Sequence, residues 1–104
     1  MAVFPFNDLH GFKDYVGFVR ICAPDDFPDR EWLPADEQWT LDLAFQGLRE
    51  GHALAVKEKG PRPQFDEFQK LVDEAYGFYR SGNMKDGFRT LDKAQKILKR
   101  IRTQ

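Results

Sequence analysis

A single thiol, Cys22, and two histidines, His10 and His52, are all that 104 residues offer in soft or imidazole ligands. One cysteine excludes an internal disulfide and removes the stapled, secreted scaffolds from consideration. No C-x-x-C, H-x-x-x-H or E-x-x-H pairing occurs, so neither a metal site nor a cofactor is expected. The phosphate-cradling loops are missing too: "SGNMKDG" has neither the glycine count nor the Lys-Ser/Thr ending of a P-loop. No stretch approaches the roughly 18 consecutive apolar residues of a membrane span. The opening "MAVFPFNDLHGF" contains no basic region followed by an apolar run of signal-peptide length. These absences set the expectation of a cytoplasmic soluble protein with no membrane partner. Apolar and polar residues never alternate for a full strand length, which leaves no sheet to build.

What the chain does have is rings and charge. Ten Phe, three Tyr and two Trp are many for this length, and each is a large apolar load that either fills a core or serves a surface. An apolar fraction of 41% and a charged fraction of 32% suit one folded domain over residues 1–104. Net charge is −1, yet residues 1–54 hold ten acids against four bases, and residues 55–104 hold seven against twelve. The front half is therefore −6 and the back half +5, an asymmetry expected to draw the halves together within one fold.

Apolar side chains recurring at helical spacing predict an all-α bundle of four helices, over about 8–22, 34–58, 63–81 and 84–102. Asn7 or Asp8 can cap the first, Leu9, Phe12, Val16 and Val19 share its apolar face, and Pro24 stops it. Pro34 is pre-set for a first helical position, and Asp36 and Glu37 follow where the helix dipole favours acids. Leu41, Phe45, Leu48, His52 and Ala55 then form one stripe, flanked by Gly47 and Gly51. A glycine inside a helix costs about 1 kcal/mol relative to alanine. Two on one face predict a notch into which a neighbouring backbone or ring fits. Phe65, Phe68, Leu71, Val72, Ala75, Phe78 and Tyr79 give the third helix a face broad enough for two neighbours. In the fourth, Met84, Phe88, Leu91, Ala94, Leu98 and Ile101 are expected to face inward, with Lys85, Arg89, Lys93, Lys96 and Arg100 on the polar side.

Between the last two helices, Gly82 suits a left-handed helix end, and Asn83 with Asp86 three residues on reads as a capping box. So short a connection forces the pair antiparallel. Leu71, Ala75, Phe78, Gly82, Met84, Gly87, Leu91 and Ala94 follow the order of large, small and aromatic positions of a tetratricopeptide repeat, and residues 71–98 resemble a single such hairpin. The segment departs from the family at Glu74, where a Leu is usual, and at Lys99, where the repeat-ending Pro would stand. One period of 34 residues upstream, Gly82 maps onto Leu48 inside a helix, so no second copy is present. About three repeats are needed to bury a repeat core. The first two helices are therefore expected to cover the hairpin as ordinary bundle partners.

For function, the segment "DDFPDREWLPADEQW" is the strongest candidate. Phe27, Trp32 and Trp39 stand among acids, and aromatic anchors with a charged rim are the composition of a protein-recognition patch. The expected role is a non-enzymatic protein-interaction module, a small binding partner, adaptor or inhibitor. Phe27, Trp32 and Trp39 would be its anchors, and Asp25, Asp26, Asp29 and Glu31 its acidic rim. A toxin-neutralising protein of the bacterial immunity kind, covering a basic site with that loop, is one form of this reading by analogy. The alternative is a ligand-binding or enzymatic bundle with a pocket near His52, Cys22 and the Gly47/Gly51 notch. A homodimer pairing through the surplus rings is a further possibility. Nucleic acid is disfavoured as a partner: the fourth helix carries a basic stripe, but the sequence pI is about 6.1, and such binders usually exceed roughly 9.

Overall fold

The computed structural model describes residue 4, residues 6–23, residue 38 and residues 40–101, and within them the chain is all-α. Four helices follow in order: α1 (Leu9–Cys22), α2 (Leu41–Lys59), α3 (Pro63–Arg80) and α4 (Met84–Lys99). Asp8 caps α1, its Oδ1 accepting the Gly11 amide at 2.8 Å. The amide of Leu9, an orphan of the first turn, instead donates to Glu58 Oε1 at 3.1 Å, so the end of α2 completes the start of α1.

Helix α2 begins at Leu41, not at Pro34. Thr40 is extended (φ −132°, ψ 166°) and its hydroxyl accepts the Leu43 amide at 3.1 Å, with Asp42 in the first turn. The start expected at Pro34 is thereby corrected: α2 begins where the apolar stripe begins, and residues 34–37 lie outside the described residues. Gly60 (φ 84°) ends α2, and Pro63 occupies the first turn of α3.

The α3–α4 corner closes as a Schellman turn. Asn83 N–H bonds Phe78 O at 2.8 Å and Gly82 N–H bonds Tyr79 O at 3.2 Å, with Gly82 left-handed at φ 84°. The capping box does not form: Asn83 makes no side-chain cap, and its Nδ2 donates to Asp86 Oδ2 at 2.7 Å. At the far end α4 stops at Lys99, where Arg100 and Ile101 tighten onto the carbonyls of Ile97 and Leu98; Arg102 lies outside the described residues.

Side-chain partners fix the directions of the helices. Along α1, Leu9, Phe12 and Tyr15 meet Glu58, Gly51 and Gly47 of α2, in descending order, so the two are antiparallel. Lys13, Gly17 and Arg20 likewise meet Ile101, Gln95 and Asp92 of α4. Asp42, Arg49 and His52 meet Arg80, Asp73 and Phe68 of α3. Each helix touches its two neighbours in a closed ring, α1 parallel to α3 and α2 to α4. Across the diagonal the rings of Phe12 and Phe68 meet edge to face at 5.7 Å.

The core is built from Leu9, Phe12, Val16 and Val19 of α1, Phe45, Leu48 and Ala55 of α2, Phe65, Phe68 and Val72 of α3, and Leu91, Ala94 and Leu98 of α4, all fully buried. The glycine notch is real. A Cβ placed on Gly51 would lie 1.9 Å from Phe12 Cε1, and one on Gly47 would lie 2.3 Å from Tyr15 Oη. The Tyr15 hydroxyl donates to the Ala44 carbonyl at 2.9 Å, anchoring the ring in that notch. A third glycine, Gly87, gives α4 room against Tyr79, whose ring atoms would be 3.0 Å from a Cβ there.

The expected attraction between an acidic front and a basic back does not organise the described ion pairs. Arg80–Asp42 (3.8 Å) has that polarity, whereas Arg20–Asp92 (3.5 Å) and Arg49–Asp73 (4.0 Å) have the reverse. Pairing is decided by which side chains face one another across a seam, and a net charge summed over half a chain does not carry that information.

Candidate interaction surface

Two side chains expected to face inward face water. Met84 is 54% and Phe88 44% exposed, and Ile21 at the end of α1 is 69% exposed. Their exposure follows from the register of α1 against α4. One side of α4 presents Met84, Phe88, Asp92, Gln95 and Lys99 at helical spacing. Gln95 lies against Gly17, and Asp92 pairs with Arg20. Helix α1 then ends at Cys22, so among the described residues it does not run on beside the two positions nearest the start of α4. Met84 and Phe88, one turn apart on α4, and Ile21, in the last turn of α1, thus lie toward the same end of the bundle.

Charged groups border these apolar side chains. The Arg20 guanidinium lies over the Phe88 ring, 5.4 Å from its centroid, and Asp92 holds Arg20 on one side and Lys96 on the other (3.1 Å). Lys85 and Arg89, both exposed, flank Phe88 along α4. Below this end, an open groove of about 590 Å³ runs between α1 and α4, lined among others by Lys13, Gly17, Ile21, Gln95 and Lys99. Such a surface combines apolar anchors, a cation–π pair and a basic border, which is the chemistry of protein recognition.

The residues chosen from sequence for partner binding, Asp25, Asp26, Phe27, Asp29, Glu31, Trp32 and Trp39, lie outside the described residues. The segment that holds them follows Ala23, two residues after Ile21.

His52 and Cys22 are not brought together. His52 is level with Phe12, whereas Cys22 is ten residues further along α1, about 15 Å at the helical rise. His52 lies between the rings of Phe65 and Phe68, nearly parallel to Phe68 (10°), and its buried Nε2 has no hydrogen-bond partner among the described residues. In the fold His52, a member of the apolar stripe, is thus a ring packed beside rings. The notch proposed as a pocket wall is filled by Phe12 and Tyr15. Among the described residues, no three His, Cys, Asp or Glu side chains gather closely enough to hold a metal ion, and no helix is long and apolar enough to cross a membrane.

Comparison with family models, curated proteins and solved structures finds no match.

Sequence reasoning missed Ile21, Met84 and Phe88 for different reasons. Ile21 stands off the Leu9–Phe12–Val16–Val19 stripe, so its outward direction could be inferred from spacing. Met84 and Phe88 stand where a helical stripe would bury them, and, among the described residues, the end of α1 at Cys22 leaves them exposed.

Proposed function

We propose that this chain is a protein-interaction module whose binding face is the end of the bundle carrying Ile21, Met84 and Phe88. The observation that carries the reading is the placement of three large apolar side chains, exposed to 69%, 54% and 44%, toward the same end of the bundle. Burying them against a partner would remove apolar surface from water at about 25 cal/mol per Å². The aromatic and acidic segment of residues 25–39 follows directly on α1 and belongs to the same reading. Phe27, Trp32 and Trp39 add anchors, and Asp25, Asp26, Asp29 and Glu31 add a rim that favours a basic partner surface. An inhibitor of the toxin-neutralising kind is one partner class with that chemistry. The hairpin of α3 and α4, with its tetratricopeptide-like spacing, serves here as the rigid support that presents Met84 and Phe88.

The test is quantitative capture from a native-source lysate with the wild type, a Phe88→Glu/Ile21→Ser variant, a Trp32→Ala variant and a Lys93→Glu control. Far-ultraviolet circular dichroism and thermal melts confirm that each is folded. Partners specific to this face are retained by the control and lost by the face variant; loss from the Trp32 variant as well assigns the segment to the same interface. Equal recovery by all four proteins refutes the reading. Sedimentation equilibrium of the purified chain separates a foreign partner from a second copy, since self-association through this face would be abolished by the same two substitutions.

A further inference from the structure

At the opposite end of the bundle, the α2–α3 connection meets the end of α4 around an open concavity of about 600 Å³. That volume lies within the range of small-molecule sites, about 300–1,000 Å³. Three cations line it, Lys59, Arg62 and Arg100, against a single acid, Glu67. Each end of the chain's helices contributes a reason for charge here, and the signs do not cancel. Lys59 and Arg100 stand at the negative ends of α2 and α4, each equivalent to about half an elementary charge. One of the carbonyls there, that of Ile101, is already taken by the Lys13 ammonium. Arg62 stands at the positive end of α3, where an acid would ordinarily be placed, and gives that helix no side-chain cap.

None of Lys59, Arg62 and Arg100 forms an ion pair among the described residues. Lys13, whose ammonium holds the Ile101 carbonyl, lies close enough to Lys59 to feel its charge. Burial first, and the charge of Lys59 second, lower the pKa of the Lys13 amine from the ordinary lysine value. Two apolar side chains also line it, Ile97 half-buried and Ile101 4% exposed.

We infer that this concavity is a binding site for a small organic phosphate, with Arg62 and Arg100 gripping the phosphoryl oxygens and Ile97 and Ile101 carrying the organic part. Guanidinium groups pair with phosphate oxygens two at a time, and the uncapped start of α3 adds a favourable dipole. A ligand of this kind supplies negative charge that Glu67, the one acid among the described lining residues, does not match against three cations.

The experiment is a two-dimensional ¹⁵N–¹H NMR titration of the full chain with pyrophosphate, then with glycerol 3-phosphate, at constant ionic strength. The wild type is compared with Arg62→Glu, Arg100→Glu and, as a control at the far end of α4, Lys85→Glu. Arg62 is exposed and its side chain does not cap α3, so its variant is expected to fold, and the spectrum itself reports whether it does. Saturable shifts confined to residues 59–67 and 97–101 are expected, with affinity reduced at least about tenfold in both arginine variants and unchanged in the control. The Lys13 amine, followed through its side-chain resonances, should titrate at higher pH once ligand is bound. Shifts that fail to saturate, that spread equally to Lys85 and Lys93, or that survive both arginine substitutions would overturn the site. So would binding seen only as co-sedimentation with vesicles of phosphatidylserine and phosphatidylcholine, because a lipid surface would then be the source of the phosphate.

Discussion

Gly51→Ala tests the packing of the whole bundle with a single methyl group. In an exposed helix this change would stabilise by about 1 kcal/mol, because glycine carries the larger loss of backbone freedom. Here the added carbon would lie 1.9 Å from Phe12 Cε1, 2.0 Å from Cδ1 and 2.4 Å from Cζ. Carbon atoms pack at about 3.5–4.0 Å, so the ring must retreat by at least about 1.6 Å. It has nowhere to go. Phe6 stands 5.1 Å from its centroid, Phe68 5.7 Å and Tyr15 6.3 Å, and Phe12 is wholly buried. Overpacking of this kind costs about 1–3 kcal/mol and at times more. With backbone, not a side-chain tip, carrying the new atom, the upper part of that range applies. Less the helix gain, the net loss expected is about 1–2 kcal/mol, or a fall in Tm of about 5–15 °C for a domain of this size. The assay is urea denaturation followed by circular dichroism, with Gly77→Ala beside it. Gly77 is exposed with open space where its Cβ would be, so that variant should gain about 1 kcal/mol. Phe12→Leu/Gly51→Ala should be less destabilised than the sum of the two single changes, because the smaller side chain vacates part of the notch. A Gly51→Ala protein as stable as the wild type, or a strictly additive double variant, would mean that α1 does not cross α2 at this glycine.

Other outcomes follow from single side chains. Tyr79 is buried with its hydroxyl unpaired among the described residues, so Tyr79→Phe should raise stability by about 1 kcal/mol in chemical denaturation. Burial also raises the pKa of that phenol, so its contribution is full below the ordinary tyrosine value and is lost as pH climbs through the folded one; Tyr79→Phe should flatten the alkaline loss of stability. Gly82 is left-handed at φ 84°, and Gly82→Ala should cost about 1–2 kcal/mol although nothing crowds its Cβ position. The Tyr76 hydroxyl donates to Asp42 Oδ1, and that bond, followed by lesser burial and the carboxylate charge, raises the Tyr76 pKa. Spectrophotometric titration near 295 nm should show one phenol shifting to lower pH in Asp42→Asn, and no change would remove the bond from the structure.

The amino-acid pattern by itself determined that the described residues form four helices and where most of these stop. Those properties depend on neighbours in sequence: an oxygen that accepts an amide three residues on, a glycine free to turn left-handed, an apolar stripe repeating with the helical turn. Even the notch at Gly47 and Gly51 could be inferred, since two costly glycines on one face need a close neighbour, though not that Phe12 and Tyr15 would fill it. What only the tertiary structure decided depends on relative length and register. Met84 and Phe88 obey the inward spacing and are nonetheless exposed, because α1 ends at Cys22 and, among the described residues, only the Arg20 side chain of α1 reaches over Phe88. The start of α2 proved to be Leu41, capped by Thr40, where the apolar stripe begins. His52 met the rings of Phe65 and Phe68, and Arg100, distant along the chain from Lys59 and Arg62, came to share one concavity with them. A helix's own periodicity fixes the direction of each side chain about its axis, but only the extent of its neighbours determines whether anything lies in that direction.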